Sequence, residues 1–440
     1  MNRFDFVDRA SDAARARDEL SGSEYWVNDQ VLVHAFGTAL DPSIADLVTV
    51  ALSCYAADRL TKRSVDWSRQ LELKIALQHP DAWIDARDGL LAYLGTLTDD
   101  QWRFEFVGGR RHRLSEQQAT LFPVDLGGSG SVGLFSGGLD SLAGAATWLT
   151  NGDAPLVLLG ARSSRVIGRD QHDAASGLRT VFGHRVIEVR IPLELRHSLS
   201  RESTQRTRGF LFLSLAAAAA LAAKAGEIVV FENGYGAHNP RLAENQFGSQ
   251  ATLASHPHVL GLFERLLRSL GVSMAVRLPH RWETKAQLLR QLPAEFVPLL
   301  AGTSSCDGYP LRIAGRTHCG RCGSCVLRQQ SLVAAELEAA DRDDYVRRPL
   351  QRGVEAGPAA ILMARQAWQF SELARIDAWD EIAWRWPSLT LGLDEASWEQ
   401  RAAVLGLMNR FADEWIALLS SRPYLRPHLR WPESPWQATA

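Results

Sequence analysis

Six consecutive residues, Ser136, Gly137, Gly138, Leu139, Asp140 and Ser141, have the types and order needed to hold phosphate. A short apolar strand is expected at 131–135 and runs directly into them, and a helix is expected to begin near Asp140. In an open parallel sheet, ligands sit at the carboxyl ends of strands. A helix N-terminus there offers free N–H groups and the positive end of its dipole to an anion. Gly137 and Gly138 let the backbone approach phosphate oxygens, and Ser136 and Ser141 add hydroxyls. Asp140 can cap the helix or help to hold Mg²⁺. A bare structural turn is the alternative. The chain has no Gly-x-x-x-x-Gly-Lys-Ser/Thr sequence, so the Walker type of phosphate loop is excluded. Residues 128–133 fit Gly-x-Gly-x-x-Gly on paper but lie before and within the strand, where no strand-to-helix turn can use them.

A second constellation lies downstream. Cys306 is followed by Cys319, Cys322 and Cys325. Three sulfurs at intervals of three, with glycines permitting a tight knuckle, and a fourth on an incoming loop suit tetrahedral Zn²⁺. Four thiolates leave no position for water, so such a metal is structural. His318 could compete as a ligand, and an iron–sulfur cluster or four free thiols are the alternatives. The fifth cysteine, Cys54, sits in a helical pattern and reads as a buried thiol.

These residues need a scaffold. The 440 residues are enough for two or three domains. Residues 1–125 read as an α+β region, with a helix at 46–63, a strand at 71–77, a helix at 81–94 and a hairpin signal at 102–114. A turn-rich boundary at 123–130 precedes a change of rhythm. Strands are expected at 131–135, 155–161, 185–191, 227–232 and 273–278, alternating with helices at 140–150, 169–182, 204–225, 253–270 and 284–291. That alternation predicts an α/β fold with a doubly wound, parallel, five-stranded sheet over residues 126–345. Residues 346–440 form a helical region rich in Trp, read as packing aromatics rather than a base-stacking surface.

With 46% hydrophobic and 22% charged residues the composition is ordinary for a globular protein. A formal net charge of -2 gives no global attraction to nucleic acid or anionic membrane. No run of about 18 apolar residues suggests a membrane span, and the first residues lack a signal-peptide core, so a cytoplasmic protein is expected.

The 136–141 loop, followed far downstream by Cys306, Cys319, Cys322 and Cys325, resembles the QueC family. These are the 7-cyano-7-deazaguanine synthases, which belong to the PP-loop ATP pyrophosphatases of the HUP type. The resemblance covers about 131–345. The additional N- and C-terminal regions are similar to those of the long QueC-like proteins of anti-phage systems, the QatC type among them. The resemblance implies ATP and Mg²⁺ as cofactors beside Zn²⁺. It implies adenylation of the carboxylate of 7-carboxy-7-deazaguanine with release of pyrophosphate, then attack by an amine. In the defence type the amine is expected on a partner protein encoded nearby. In the biosynthetic type it is ammonia, and a second ATP gives the nitrile. A homodimer is also implied.

Residue by residue, the resemblance places Gly160, Ala161 and Arg162 near the adenine, and Arg208 near phosphate or the substrate carboxylate. Glu232, Asn233, Gly234 and Asn239 fall where the base would be read, and Lys285 where charge develops on the α-phosphate. Asp140, Lys285 and Arg208 are thus the expected catalytic set. Arg328 matches an arginine after the last cysteine. The loop with Arg162, Arg165 and Arg169 departs from the biosynthetic enzymes. A tRNA-modifying thiolase of the same superfamily would need a reactive cysteine outside the metal set, where only Cys54 stands. A non-catalytic nucleotide-sensing subunit is a further alternative, against which the intact Ser136, Asp140 and Ser141 stand.

Overall fold

The computed structural model describes residues 2–6, 19–20, 25–27, 30–36, 40–64, 67–109, 124–162, 164–195, 200–242, 252–308, 317–342, 344–394 and 397–432. In chain order the main strands are β1 (Asn2–Phe6), β2 (Glu19–Leu20), β3 (Tyr25–Val27), β4 (Gln70–Leu77), β5 (Gln101–Gly108), β6 (Ser131–Leu134), β7 (Leu156–Arg162), β8 (Val186–Leu195), β9 (Glu227–Val230) and β10 (Ala275–Arg277).

The central sheet runs β10-β9-β6-β7-β8, all parallel, as expected from the strand–helix alternation. It gains a strand that periodicity did not reveal: β3 pairs antiparallel along β8, Trp26 opposite Glu194. Strand β7 reads Leu-Val-Leu-Leu because it is covered on both faces. Successive residues point to opposite sides: Val157 and Leu159 join one core, and Leu156 and Leu158 another. In register, Leu134 of β6 lies level with Leu159 of β7 and Val230 of β9, so the loops after all three strands open at one end.

The first sheet, β2-β1-β4-β5, is parallel throughout. The hairpin expected at 102–114 is therefore corrected for its first strand. β5 pairs in parallel with β4, and the crossover between them carries the helices Pro80–Asp85 and Arg87–Thr98. Residues 110–114 lie outside the described residues. The helix Pro42–Leu60 is buried from Ile44 to Arg59, because it lies between β4 and the helix Arg208–Ala222. One continuous core accordingly joins Phe6, Leu73 and Trp83 of the N-terminal region to Val132, Phe210 and Phe263 of the α/β region. Short alanine side chains at 216–220, all buried, suit the close approach of helices there.

The opposite face of the sheet is covered by the helices Leu139–Asn151 and Arg165–Phe182. The C-terminal region is helical, with its own core around Trp386, Phe411 and Trp415. Trp384 and Trp398 are exposed, so the tryptophans divide between packing and surface. Trp436 lies outside the described residues. No helix among the described residues is long and apolar enough to cross a membrane.

Candidate functional site

A cleft of about 940 Å³ opens at the carboxyl ends of β6, β7 and β9. The expected loop forms its floor. The Ser136 hydroxyl accepts from the Gly138 N–H at 3.2 Å and lies 3.2 Å from the Ser141 hydroxyl, which donates to the Gly138 carbonyl at 3.0 Å. Gly137 has φ +73°, and a Cβ there would lie 2.9 Å from both Cα and N of Gln171, so only glycine fits. Gly138 is the N-cap of the helix Leu139–Asn151, and no side chain caps it. Asp140 therefore does not cap the helix. It lies in the first turn and reaches across the cleft instead.

There Asp140 meets residues from two other strand ends. Its Oδ2 accepts from Lys285 Nζ at 2.6 Å, and its Oδ1 from Asn233 Nδ2 at 3.2 Å. Lys285 opens the helix Lys285–Arg290. It is held there by a capping box in which the Thr284 hydroxyl accepts from Gln287 N and the Gln287 side chain accepts from Thr284 N. The Asn233 amide also donates to Glu232 Oε1 at 2.8 Å, and the Asn233 N–H does so at 3.2 Å. Loss of water around Glu232, then the charge on Asp140, raises the Glu232 carboxyl to about 8; Lys285 and the Asn233 donors offset part of this. The sequence brought Asp140, Glu232, Asn233 and Lys285 to attention singly, and the fold joins them into one hydrogen-bonded group.

Gly160 and Ala161 line the cleft at the end of β7, and the Gln171 side chain fills the space beside Gly160. Arg162 is exposed, lies against Gly168 and does not line the cleft. Gly234 is also outside the lining: its N–H donates to the Glu283 carbonyl at 2.6 Å, and a Cβ would collide with the Arg281 carbonyl. Its role is close backbone packing. Asn239 lines the cleft, with its amide donating to the Thr252 carbonyl at 2.9 Å. Arg208 lines the cleft, with its guanidinium over the Phe212 ring at 5.0 Å.

Tyr55, Gln171, Gln205, Ser304, Ser305 and Asp307 also line the cleft, and no motif pointed to them. Tyr55 sits in a long apolar helix of the N-terminal region, and only the tertiary fold carries it to the ligand space. The C-terminal region supports the same site. Tyr235 donates to Gln366 Oε1 at 2.6 Å and stacks on Phe411, and Thr284 donates to Glu414.

The four cysteines converge. The Sγ atoms of Cys306, Cys319, Cys322 and Cys325 all lie within 4.8 Å of one another, and Cys319 and Cys325 are 3.9 Å apart. Sulfurs on a tetrahedral zinc with bonds of about 2.3 Å are separated by about 3.8 Å, so the group fits a metal such as zinc. Backbone N–H groups already point at three of the sulfurs. Cys319 N donates to Cys306 Sγ at 3.4 Å, Cys322 N to Cys319 Sγ at 3.3 Å, and Cys325 N to Cys322 Sγ at 3.4 Å. His318 is turned away from this group: its Nε2 accepts from Ser305 N at 3.1 Å, and its ring stacks on Tyr345.

The knuckle also forms a wall of the cleft, through Cys306, Asp307, Gly323 and Ser324. Arg328 is fully buried. It donates to Thr303, Ser305, the Leu300 carbonyl and Asp341, and so braces the loop that leads to Cys306. Cys54 is buried, and burial followed by the charge of Asp58 pushes its thiol well up, which leaves it unreactive.

No family model matches the chain, and no curated protein matches it either.

Proposed function

We propose that this chain is a QueC-like ATP pyrophosphatase of the PP-loop (HUP) type. In this reading it adenylates the carboxylate of a 7-deazaguanine acid, releases pyrophosphate, and joins the acyl group to an amine on a partner protein in anti-phage defence. The observation that carries this reading is the meeting, in one cleft, of the 136–141 turn with Lys285 bonded to Asp140 at 2.6 Å. A glycine turn and an uncapped helix N-terminus suit pyrophosphate, and a cation fixed beside them suits charge developing on phosphorus.

The chemistry balances simply. A substrate carboxylate oxygen attacks the α-phosphorus, and the bond to pyrophosphate breaks. The amine nitrogen then attacks the acyl carbon, AMP departs, and the amine loses a proton. Mg²⁺ would supply charge neutralisation along the phosphates. Asp140 retains acceptor capacity beyond its two bonds and is one residue able to contact it. Zn²⁺ at the four cysteines would be structural, with no position left for water.

Adding ATP and 7-carboxy-7-deazaguanine to the purified protein should release pyrophosphate, with AMP following once an acceptor amine is supplied. Absence of release with any deazaguanine acid overturns the reading. Consumption of two ATP per product with ammonia alone would instead identify the nitrile-forming reaction.

A further inference from the structure

One wall of the cleft is built from two stretches far apart in the chain. The helix Pro42–Leu60 supplies Tyr55, whose phenol donates to Gln205 Oε1 at 3.0 Å. The segment carrying Gln205 is pinned to the same helix and its C-terminal end. Asp58 Oδ2 accepts from Thr207 N at 3.0 Å and from the Thr207 hydroxyl at 3.1 Å. The Arg59 carbonyl accepts from Arg201 N at 2.9 Å and from Glu202 N at 3.0 Å. Glu202 in turn accepts from Arg63 N at 2.8 Å. Held this way, Gln205 adopts φ +51°, a left-handed conformation that is unfavourable for a non-glycine residue and recurs at ligand sites.

The bond from Tyr55 fixes which way the Gln205 amide faces. The oxygen is taken by the phenol, so the NH₂ group is what Gln205 has left to offer. Three residues on, the Arg208 side chain is open to the cleft. No carboxylate lies within ion-pair distance of it among the described residues, and the charged neighbour it does have, Arg59, is a second cation, so its charge is left uncompensated. The apolar lining beside them comes from Ile191, Leu193, Phe212 and Leu215. This wall therefore presents a cation and N–H donors over an aromatic and aliphatic surface, with no carboxylate of its own. It belongs to the opposite face of the sheet from the phosphate-loop helix: the helix Arg208–Ala222 packs in one core and the helix Leu139–Asn151 in the other. At about 940 Å³ the cleft is near the upper end of small-molecule sites, with room for a second ligand beside a nucleotide.

We propose that Tyr55, Gln205 and Arg208 form the subsite of the second substrate and select a flat carboxylic acid, with the carboxylate on Arg208, the ring against Phe212 and Leu215, and an acceptor edge on the Gln205 amide. The N-terminal region is then part of the specificity apparatus. Occupation of this subsite by a second substrate rests on the ligase reading above; the subsite itself does not.

The test measures Michaelis constants for ATP and for 7-carboxy-7-deazaguanine separately, by pyrophosphate release. Arg208→Met, which keeps the stem over Phe212, should raise the constant for the acid roughly tenfold or more, as loss of a charge-assisted hydrogen bond does. Tyr55→Phe keeps the ring and frees the Gln205 amide to turn, so it should raise the same constant about threefold or more while leaving thermal stability near wild type. Both should change the constant for ATP less than threefold. A larger effect on ATP than on the acid, or no effect on either, overturns the proposal. Calorimetric titration of 7-carboxy-7-deazaguanine into the protein, with and without a non-cleavable ATP analogue, separates the two readings. Binding to wild type that Arg208→Met weakens sustains the subsite even where no pyrophosphate is released. No binding to wild type, or equal binding to both, rejects it.

Discussion

Without the ammonium of Lys285, Asp140 and Glu232 would face one another with only the Asn233 amide between them. Lys285 and Asp140 are both largely buried, with side chains 7% and 17% exposed. Breaking such a pair leaves an uncompensated carboxylate and costs about 3 kcal/mol. Lys285→Met should therefore lower both stability and pyrophosphate release, the latter by about a hundredfold, since a positioned cation acts on the developing charge. The added Asp140→Asn change should restore stability but not activity, a separation that a double-mutant cycle measures directly. Glu232 gives a pH prediction with a definite sign. Its carboxyl titrates near 8 in the folded chain and near its ordinary value when unfolded, so the folded state holds the extra proton between those limits. Stability should fall as pH rises through that window. Glu232→Gln mimics the neutral form, so its melting temperature relative to wild type should climb from about pH 5 to about pH 8 and then level off. A difference that stays constant with pH would show that Glu232 ionises normally. At this scale the chemistry-bearing residues were legible wherever a strand or helix end announced them, as at the 136–141 turn and Lys285. Tyr55 and Gln205 were not, because nothing in a buried helix or a polar loop marks a residue that only folding brings to a cleft.

Among the elements, the cysteine knuckle matters for what it holds in place. Cys306 ends the segment 303–306, and the Ser304 carbonyl of that segment lies against Gly138 of the 136–141 turn. Arg328 ties the same segment to Asp341. Cys322→Ser should reduce bound zinc, measured by mass spectrometry of the metal, and weaken ATP binding with it. Loss of zinc with folding and activity unchanged would remove the structural role. The strands of the central sheet were legible as apolar runs alternating with helical periodicity, since burial on both faces leaves a strong mark in sequence. Pairing was less legible. Alternation in Gln101–Gly108 says that one face is buried, and Gly108-Gly109 suggests a turn, but neither states whether the partner lies before or after in the chain. The two helices between β4 and β5 allow the parallel crossover that the structure adopts.

For the whole molecule, the decisive feature is the shared core. The helix Pro42–Leu60 is buried between β4 and the helix Arg208–Ala222 and has no exposed face along most of its length. A chain shortened to residues 126–440 would expose Phe210, Leu211 and Leu213, and should be recovered in the insoluble fraction even with zinc supplied. Recovery of a folded, cooperatively melting fragment would show that the two regions are separable. The charges of this junction are themselves buried: Asp58 bonds Arg69 at 2.6 Å as well as Thr207, and Arg63 and Arg69 share Asp100. Asp58→Ala would leave the buried Arg63 and Arg69 sharing the single carboxylate of Asp100 and release Thr207 as well, costing about 3–5 kcal/mol in chemical denaturation. Sequence composition could not show this dependence, because a boundary rich in turns at 123–130 looks the same whether it separates two bodies or bends within one.

The antiparallel seat of β3 on β8 has a consequence for how the protein behaves at high concentration. Parallel sheets end in rows of unpaired amide and carbonyl groups that neighbouring chains can extend. Here β3 takes up the end of β8 at Leu193–Leu195, and the opposite border is the three-residue strand β10, where the exposed Arg277 is held to Glu227. The outermost described strands of the central sheet are thus three residues each, too short to template a long added strand, and β10 carries a charge as well.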